Sequence, residues 1–363
     1  MKILAFGEIM MRVAPEAHFR LRQVMPGKAD ITFAGAEANV CVSLAMFGAK
    51  TRYITVLPDN PISDCVMSVL KGFGVDTDHI LLSKKGRLGI YFVETGANQR
   101  SSAVIYDRDG SSIAFAEPED YSFDRAMDGM DWFHVTGITP ALSENAYLAT
   151  LSALLKSKEK GLKVSCDLNF RRKLWRWKEG YAPDRLAREC MTSILPFVHL
   201  VIANEEDAKD VMGIEAQGTS VEKGQINAAA YEYVARKIIT QFPNVEKVAF
   251  TLRESISADY NKWGGMLFDK TEDKAFLTPL DDAGEYAPYH IRDIVDRVGG
   301  GDSFAAGLIY ALNSSEFEKP AQAVRFAVAS SCLKHSIKGD FNYVTEEEVL
   351  SLLKGSASGR VRR

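Results

Sequence analysis

Short runs of apolar, β-favouring residues recur along the chain, separated by stretches whose apolar positions fall three and four residues apart. KILAFG (2–7), RYITVL (52–57), WFHVTGI (132–138), KVSCDLN (163–169), LVIAN (200–204) and KVAFTL (247–252) read as strands. Between them, ANVCVSLAMFGA after Glu37, NAYLATLSALL from Asn145 and AAAYEYVARKII from Ala228 carry helical spacing, and each covers one face of a sheet. The alternation predicts an α/β fold with a mostly parallel sheet. Several strand ends run straight into polar residues, Asp167-Leu168-Asn169 and Asn204-Glu205-Glu206-Asp207. In open parallel sheets ligands bind at those carboxyl ends.

Two segments, 13–34 and 87–117, break the alternation. LGIYFVET and SSAVIYDRDGSSIAFA show β patterning with turn residues and no helix between them, which predicts a small antiparallel lid inserted in a single core spanning 1–363. A lid suits chemistry that must exclude water, and its free strand edges predict a homodimer or larger assembly through it. The polar stretch 218–227 reads as a surface loop. Residues 356–363, Gly/Ser-rich and then basic at Arg360, Arg362 and Arg363, read as a flexible tail.

With 363 residues, 46% hydrophobic and 25% charged, the chain can bury a large core. A net charge of -4 supplies no broad positive field, which argues against nucleic acid as a partner. No apolar stretch is long enough for a bilayer, and KILAFGEIMMRV is too short and interrupted for a secretory signal, so no membrane partner and a cytoplasmic location are expected. Cys41, Cys65, Cys166, Cys190 and Cys332 show no paired or metal-ligand spacing and read as buried free thiols.

The sharpest local feature is Asp296-Arg297-Val298-Gly299-Gly300-Gly301-Asp302-Ser303-Phe304-Ala305-Ala306-Gly307. Apolar spacing after the glycines predicts a helix beginning at Asp302. A helix N-terminus approached by glycines presents free N–H groups to an anion, most often a phosphate. Taken alone, the turn is equally a plain strand-to-helix connection with Asp302 as a charge favoured by the helix dipole. No Lys-Ser or Lys-Thr follows the glycines, so this is not a Walker A loop, and GxGxxG spacing is absent.

These residues, with FAGAEANVCVSLAMFGAKT earlier in the chain, resemble the ribokinase-like (PfkB) carbohydrate kinases over nearly the whole length. GEIMMRVAP, IYFVETG, VIYDRDGSS, DLNFRRKLW, RVGGGDSFAAG and LKHSIKGDFN are most similar to the branch acting on 2-keto-3-deoxygluconate. The resemblance implies a three-layer α/β/α fold with a small β-sheet lid. It implies Asp302 as catalytic base beside an anion hole at Gly299, Gly300 and Gly301, with Gly299 and Gly301 also against the nucleotide phosphates, and a sugar grip around Gly35, Ala36 and Asn39. It implies ATP and Mg²⁺, leaves a monovalent cation open, and places the nucleotide near Thr251, Arg253 and Ser255. It puts Asn204 and Glu205 at the metal through water, whereas Asp207 reads as a strand-to-helix cap.

A keto-deoxy sugar acid carries a carboxylate, which guanidinium groups grip with two charge-assisted hydrogen bonds. Arg108 in the lid and Arg171 after a strand end are the candidates, with Arg12 behind them. Tyr91 and Tyr106 offer hydroxyls and an apolar wall. Asp340 closes over a ligand or stabilises its loop, and His335 reads as a satisfied, partly buried histidine. A kinase for a neutral sugar, fructose or ribose, and a non-catalytic sugar-sensing protein are the competing readings.

Overall fold

A computed structural model describes residues 1–214 and 228–355, the side chains of Glu205 and Glu206 excepted. The expected loop at 218–227 and tail at 356–363 lie outside the described residues. Each apolar run forms a strand, but RYITVL is divided at Thr55 between Lys50–Ile54 in the main sheet and Val56–Pro58, which pairs separately with Leu81–Ser83. The parallel core of the main sheet runs, in spatial order, Lys247–Ser257, Leu200–Ala203, Lys163–Asp167, Trp132–Thr136, Lys2–Phe6, Lys50–Ile54 and Val75–Asp76. Tyr260–Asp269 and Lys274–Thr278 extend it antiparallel beyond Lys247–Ser257.

Side chains alternate across the sheet with period two. Leu4, Phe133, Val135 and Val201 enter one core, covered by helices Glu144–Glu159, Pro183–Ile194 and Ala228–Gln241. Ile3, Trp132, Leu200 and Ile202 enter the other, under Ala36–Met46, Gly300–Leu312 and Pro320–Lys334. These are the three layers. Lys2–Phe6 pairs with Lys50–Ile54 on one side and Trp132–Thr136 on the other, so the chain reverses its direction of travel across the sheet there. Such a switch point leaves a crevice at the carboxyl ends of the strands.

Above that crevice sits a second sheet of four strands, in the order Asp30–Ala34, Met10–Ala14, Gly89–Glu94 and Ala103–Asp107. Its outer pairs are antiparallel, but Met10–Ala14 and Gly89–Glu94 pair in parallel. Its first strand begins at Met10, and short helices Leu21–Val24 and Ser112–Phe115 occupy segments where the β pattern predicts none.

The cysteines are free, and Cys41, Cys166 and Cys190 are buried. Cys65 is exposed, because helix Pro61–Gly72 turns Ser63, Val66 and Leu70 inward and leaves it outside. Among the described residues no helix is long and apolar enough to cross a membrane.

Candidate active site

Helix Gly300–Leu312 begins two residues before the expected Asp302. Gly299 adopts φ +82°, a left-handed cap, and a Cβ there would lie 2.2 Å from the Asp340 carbonyl oxygen. Only glycine meets both demands. Gly300 and Gly301 are already helical, which sets Asp302 at the third position of the first turn. Ser303 N donates to Gly299 O at 2.9 Å, so the N–H groups of Gly300, Gly301 and Asp302 precede the helix's own acceptors. Nothing lies within 4 Å of where a Gly301 side chain would project. The turn therefore offers several donors and open room at a positive helix end.

Asp302 stands partly exposed at the edge of this turn, and Asn39 Nδ2 donates to its Oδ2 at 2.6 Å. Asn39 is fixed in turn, since its Oδ1 accepts Gly35 N–H at 3.3 Å. Gly35 runs against the chain at residue 8, where a Cβ would meet the Glu8 carbonyl oxygen at 2.1 Å. Desolvation raises the Asp302 pKa to about 7; Asp340 and Glu37 push the same way, while the Asn39 hydrogen bond and Arg171 oppose. A carboxyl poised near neutrality suits a general base.

A cleft of about 830 Å³ runs from this point between the sheet ends and the small sheet. It brings together Gly35, Ala36, Asn39, Tyr91, Tyr106, Arg108, Arg171, Asn204, Thr251, Arg253, Ser255, Gly299, Gly300, Gly301, Asp302 and Asp340. The Glu205 side chain lies outside the described residues. Arg12 does not reach the cleft. It is 2% exposed and pairs with Asp296 and Asp340 at 2.5 Å each, so its guanidinium is consumed inside the protein.

On the small-sheet wall, Arg108 is buried in an ion pair with Glu8 and packs its guanidinium 5.5 Å from the Tyr106 ring centroid. Tyr91 and Tyr106 are cross-strand partners, and Tyr91 OH donates to Asp340 Oδ1 at 2.7 Å. The hydroxyl of Tyr91 is thus engaged, and Asp340 is a buried acceptor holding its loop. Arg171 is exposed and donates to the Phe170 carbonyl at 3.0 Å. Its charge acts on Asp167, Asp207 and Asp302 alike.

Asn204 and Asp207 cap helix Glu205–Met212 reciprocally, each side chain accepting the other's backbone N–H at 3.0 Å. Asp207 also accepts Phe170 N–H at 3.0 Å and so ties two strand ends together. This is the cap its position predicts. Burial, with Asp207 and Asp302 nearby, pushes the Asp167 carboxyl well above the usual range. Thr251, Arg253 and Ser255 lie along Lys247–Ser257, which forms an antiparallel hairpin with Tyr260–Asp269.

His335 is buried behind the turn. Its Nδ1 lies 2.7 Å from Ser331 O, its ring meets Trp263 edge-on, and burial lowers its pKa to about 4.

Glu8, Asn169 and Arg297 line the cleft without a site role assigned from the sequence, although Asn169 closes one of the strand ends noted there. Glu8 is paired with a residue 100 positions away. Asn169 holds φ +38° with a buried, unpartnered Oδ1, and Arg297 donates to Ser257 O and Asn261 Oδ1 beside Arg253. A polar residue at a strand end marks Asn169; nothing local marks the other two.

A sequence profile of the pfkB family carbohydrate kinases matches residues 1–241. The crystal structure of a 2-dehydro-3-deoxygluconokinase from Thermotoga maritima superposes with a TM-score of 0.87 at 41% identity, covering 98% of this chain and 100% of that one. A 2-dehydro-3-deoxygalactonokinase of Haloferax volcanii is 28% identical over 358 residues, 99% of this chain and 98% of its own. A 2-dehydro-3-deoxygluconokinase of Thermoproteus tenax is 27% identical over 343 residues, covering 93% and 89%. With the glycine turn, the poised carboxyl and the lid-covered switch point, these likenesses establish that the chain belongs to the PfkB family of carbohydrate kinases.

Proposed function

We propose that this kinase transfers the γ-phosphoryl group of ATP to the terminal hydroxyl of 2-dehydro-3-deoxy-D-gluconate, giving the 6-phosphate. The observation that carries the reading is the make-up of one cleft. It sets a carboxyl of pKa about 7 and an open helix N-terminus against a wall holding Arg108, with Arg171 between. Arg108 and Arg171 meet the substrate carboxylate, and relatives named for two keto-deoxy sugar acids support an acidic substrate over a neutral one. Gly35, Ala36 and Asn39 line the sugar, and Tyr106 walls it in.

Asp302 takes the hydroxyl proton as the oxygen bonds to the γ-phosphorus and the bond to the ADP oxygen breaks. Base assistance of this kind contributes ~10²–10⁴-fold. The N–H groups of Gly300, Gly301 and Asp302 stabilise charge spreading over the transferring oxygens. Thr251, Arg253 and Ser255 line the nucleotide. The strand ends offer only hard oxygen donors, and the crowded Asp167 carboxyl is relieved by a nearby cation, so the donor set fits Mg²⁺. Asn204, with Glu205 next to it, would hold the ion through water, and Mg²⁺ carried with ATP would supply positive charge against the phosphates.

A coupled assay with ATP across keto-deoxy sugar acids, their epimers, fructose and ribose tests the substrate. The acids are expected to give the highest kcat/KM, and Arg171→Met to erase most of that preference. Faster turnover of a neutral sugar would overturn the reading.

A further inference from the structure

The mechanism leaves one cluster of charge unused. Arg12 lies in the middle of the small sheet, and its strand neighbour in register is Tyr91. Both side chains leave that sheet and end on the same atom: Arg12 donates to Asp340 Oδ1 at 2.5 Å and Tyr91 OH to the same oxygen at 2.7 Å. The other arm of the guanidinium donates to Asp296 Oδ2 at 2.5 Å. Arg12, Asp296 and Asp340 are each at most 5% exposed.

Both carboxylates belong to the chain that shapes the glycine turn. Asp296 Oδ1 accepts the N–H of Val298, next to Gly299, at 3.1 Å, and its Oδ2 accepts Gly339 N–H at 3.1 Å. The Asp340 carbonyl is the group pressed against Gly299. One guanidinium therefore bridges the approach to the turn and the loop behind it, and anchors both to the lid. Burial works against the Arg12 charge, but Asp340 and Asp296 outweigh it and keep the group ionised. The planar fork matters, because an ammonium is a point charge that meets two diverging carboxylates less well.

We infer that Arg12 is a positioning residue for phosphoryl transfer: it fixes the small sheet, and the substrate it covers, relative to the N–H groups of the glycine turn. It touches neither substrate nor nucleotide and acts through Asp296 and Asp340. The inference rests on the turn being the phosphate site. A misplacement of about 1 Å between two such parts can cost ~10²-fold in rate.

The test is steady-state kinetics of Arg12→Ala and Arg12→Lys, with thermal unfolding and nucleotide binding measured on the same samples. Arg12→Ala is expected to lose kcat by ~10²-fold while KM for both substrates moves only a few-fold, and Arg12→Lys to fall between it and the parent. Guanidinium chloride, far below denaturing concentrations, is expected to restore part of the Arg12→Ala turnover, whereas sodium chloride at equal ionic strength is not. Should Arg12→Ala unfold, the triple change Arg12→Met with Asp296→Asn and Asp340→Asn removes all three charges together; it is expected to fold and still turn over slowly. Parent-level kcat in any folded variant, or loss of stability with kcat per folded molecule intact, overturns the inference. If Asp302→Asn abolishes turnover while Arg12 variants keep it, the phosphate site stands and only this inference falls.

Discussion

The two walls of the cleft are built on different principles. The sheet-side wall, with Asp302 and the glycine turn, is set by backbone geometry: Gly299 in a left-handed cap against the Asp340 carbonyl, Gly301 facing open space, Asn39 locked between Gly35 and Asp302. The small-sheet wall is set by charge pairs between distant segments, Arg108 with Glu8 and Arg12 with Asp296 and Asp340. Backbone-made sites hold donors rigidly where charge develops, which is what phosphoryl transfer requires. Side-chain pairs can be exchanged without rebuilding the chain path. On the proposed reading the first wall carries the transfer chemistry, while the second meets the substrate through Arg108 and, through Arg12, holds the two walls in register.

The strongest way to break this comparison is at the two glycines. Gly301→Ala keeps the backbone N–H and adds a methyl where no protein atom opposes it but where the phosphate would sit, so thermal unfolding is expected to stay near the parent while kcat drops by ~10²-fold, the scale of a displaced reacting group. Gly299→Ala forces a side chain into a left-handed backbone and into the Asp340 carbonyl, and at least ~1–2 kcal/mol of stability is expected to go with it, read by denaturant unfolding. Comparable activity in Gly301→Ala and the parent would mean that the turn binds no phosphate. The smallest effect is expected outside the cleft. Ile105 is 54% exposed on the outer strand of the small sheet, whose free edge and apolar face suit a second copy of the chain. In solution scattering the parent is expected at dimer mass and Ile105→Glu at monomer mass, with kcat changed only a few-fold. A monomeric parent would remove the small sheet as an interface.

The same contrast explains what could be read from sequence. The strands were legible because each is an apolar run in a sheet covered on both faces. Asp302 and its glycines were legible because a backbone-made site must be written contiguously. Arg12 was not, since its partners stand 284 and 328 residues away and nothing nearby distinguishes an arginine bound for the interior from one bound for a ligand. The ion pair of Arg108 was hidden for the same reason, its Glu8 partner lying 100 residues earlier, although the residue still lines the cleft. The helix start was misplaced by two residues because apolar spacing registers only where side chains begin to pack, and Gly300 and Gly301 have none.

Asp302 as the base is the claim on which the rest depends, and the pH dependence of kcat/KM reaches it directly. Burial raises this carboxyl to about 7, and only the ionised form accepts a proton. Activity is therefore expected to fall about tenfold per pH unit below that point and to level off above it. In Asp302→Asn the acid limb should vanish, leaving a low, flat residual rate with sugar and nucleotide still bound. A parent profile that is flat through pH 7, or an Asp302→Asn variant that retains both the limb and the turnover, would contradict the assignment.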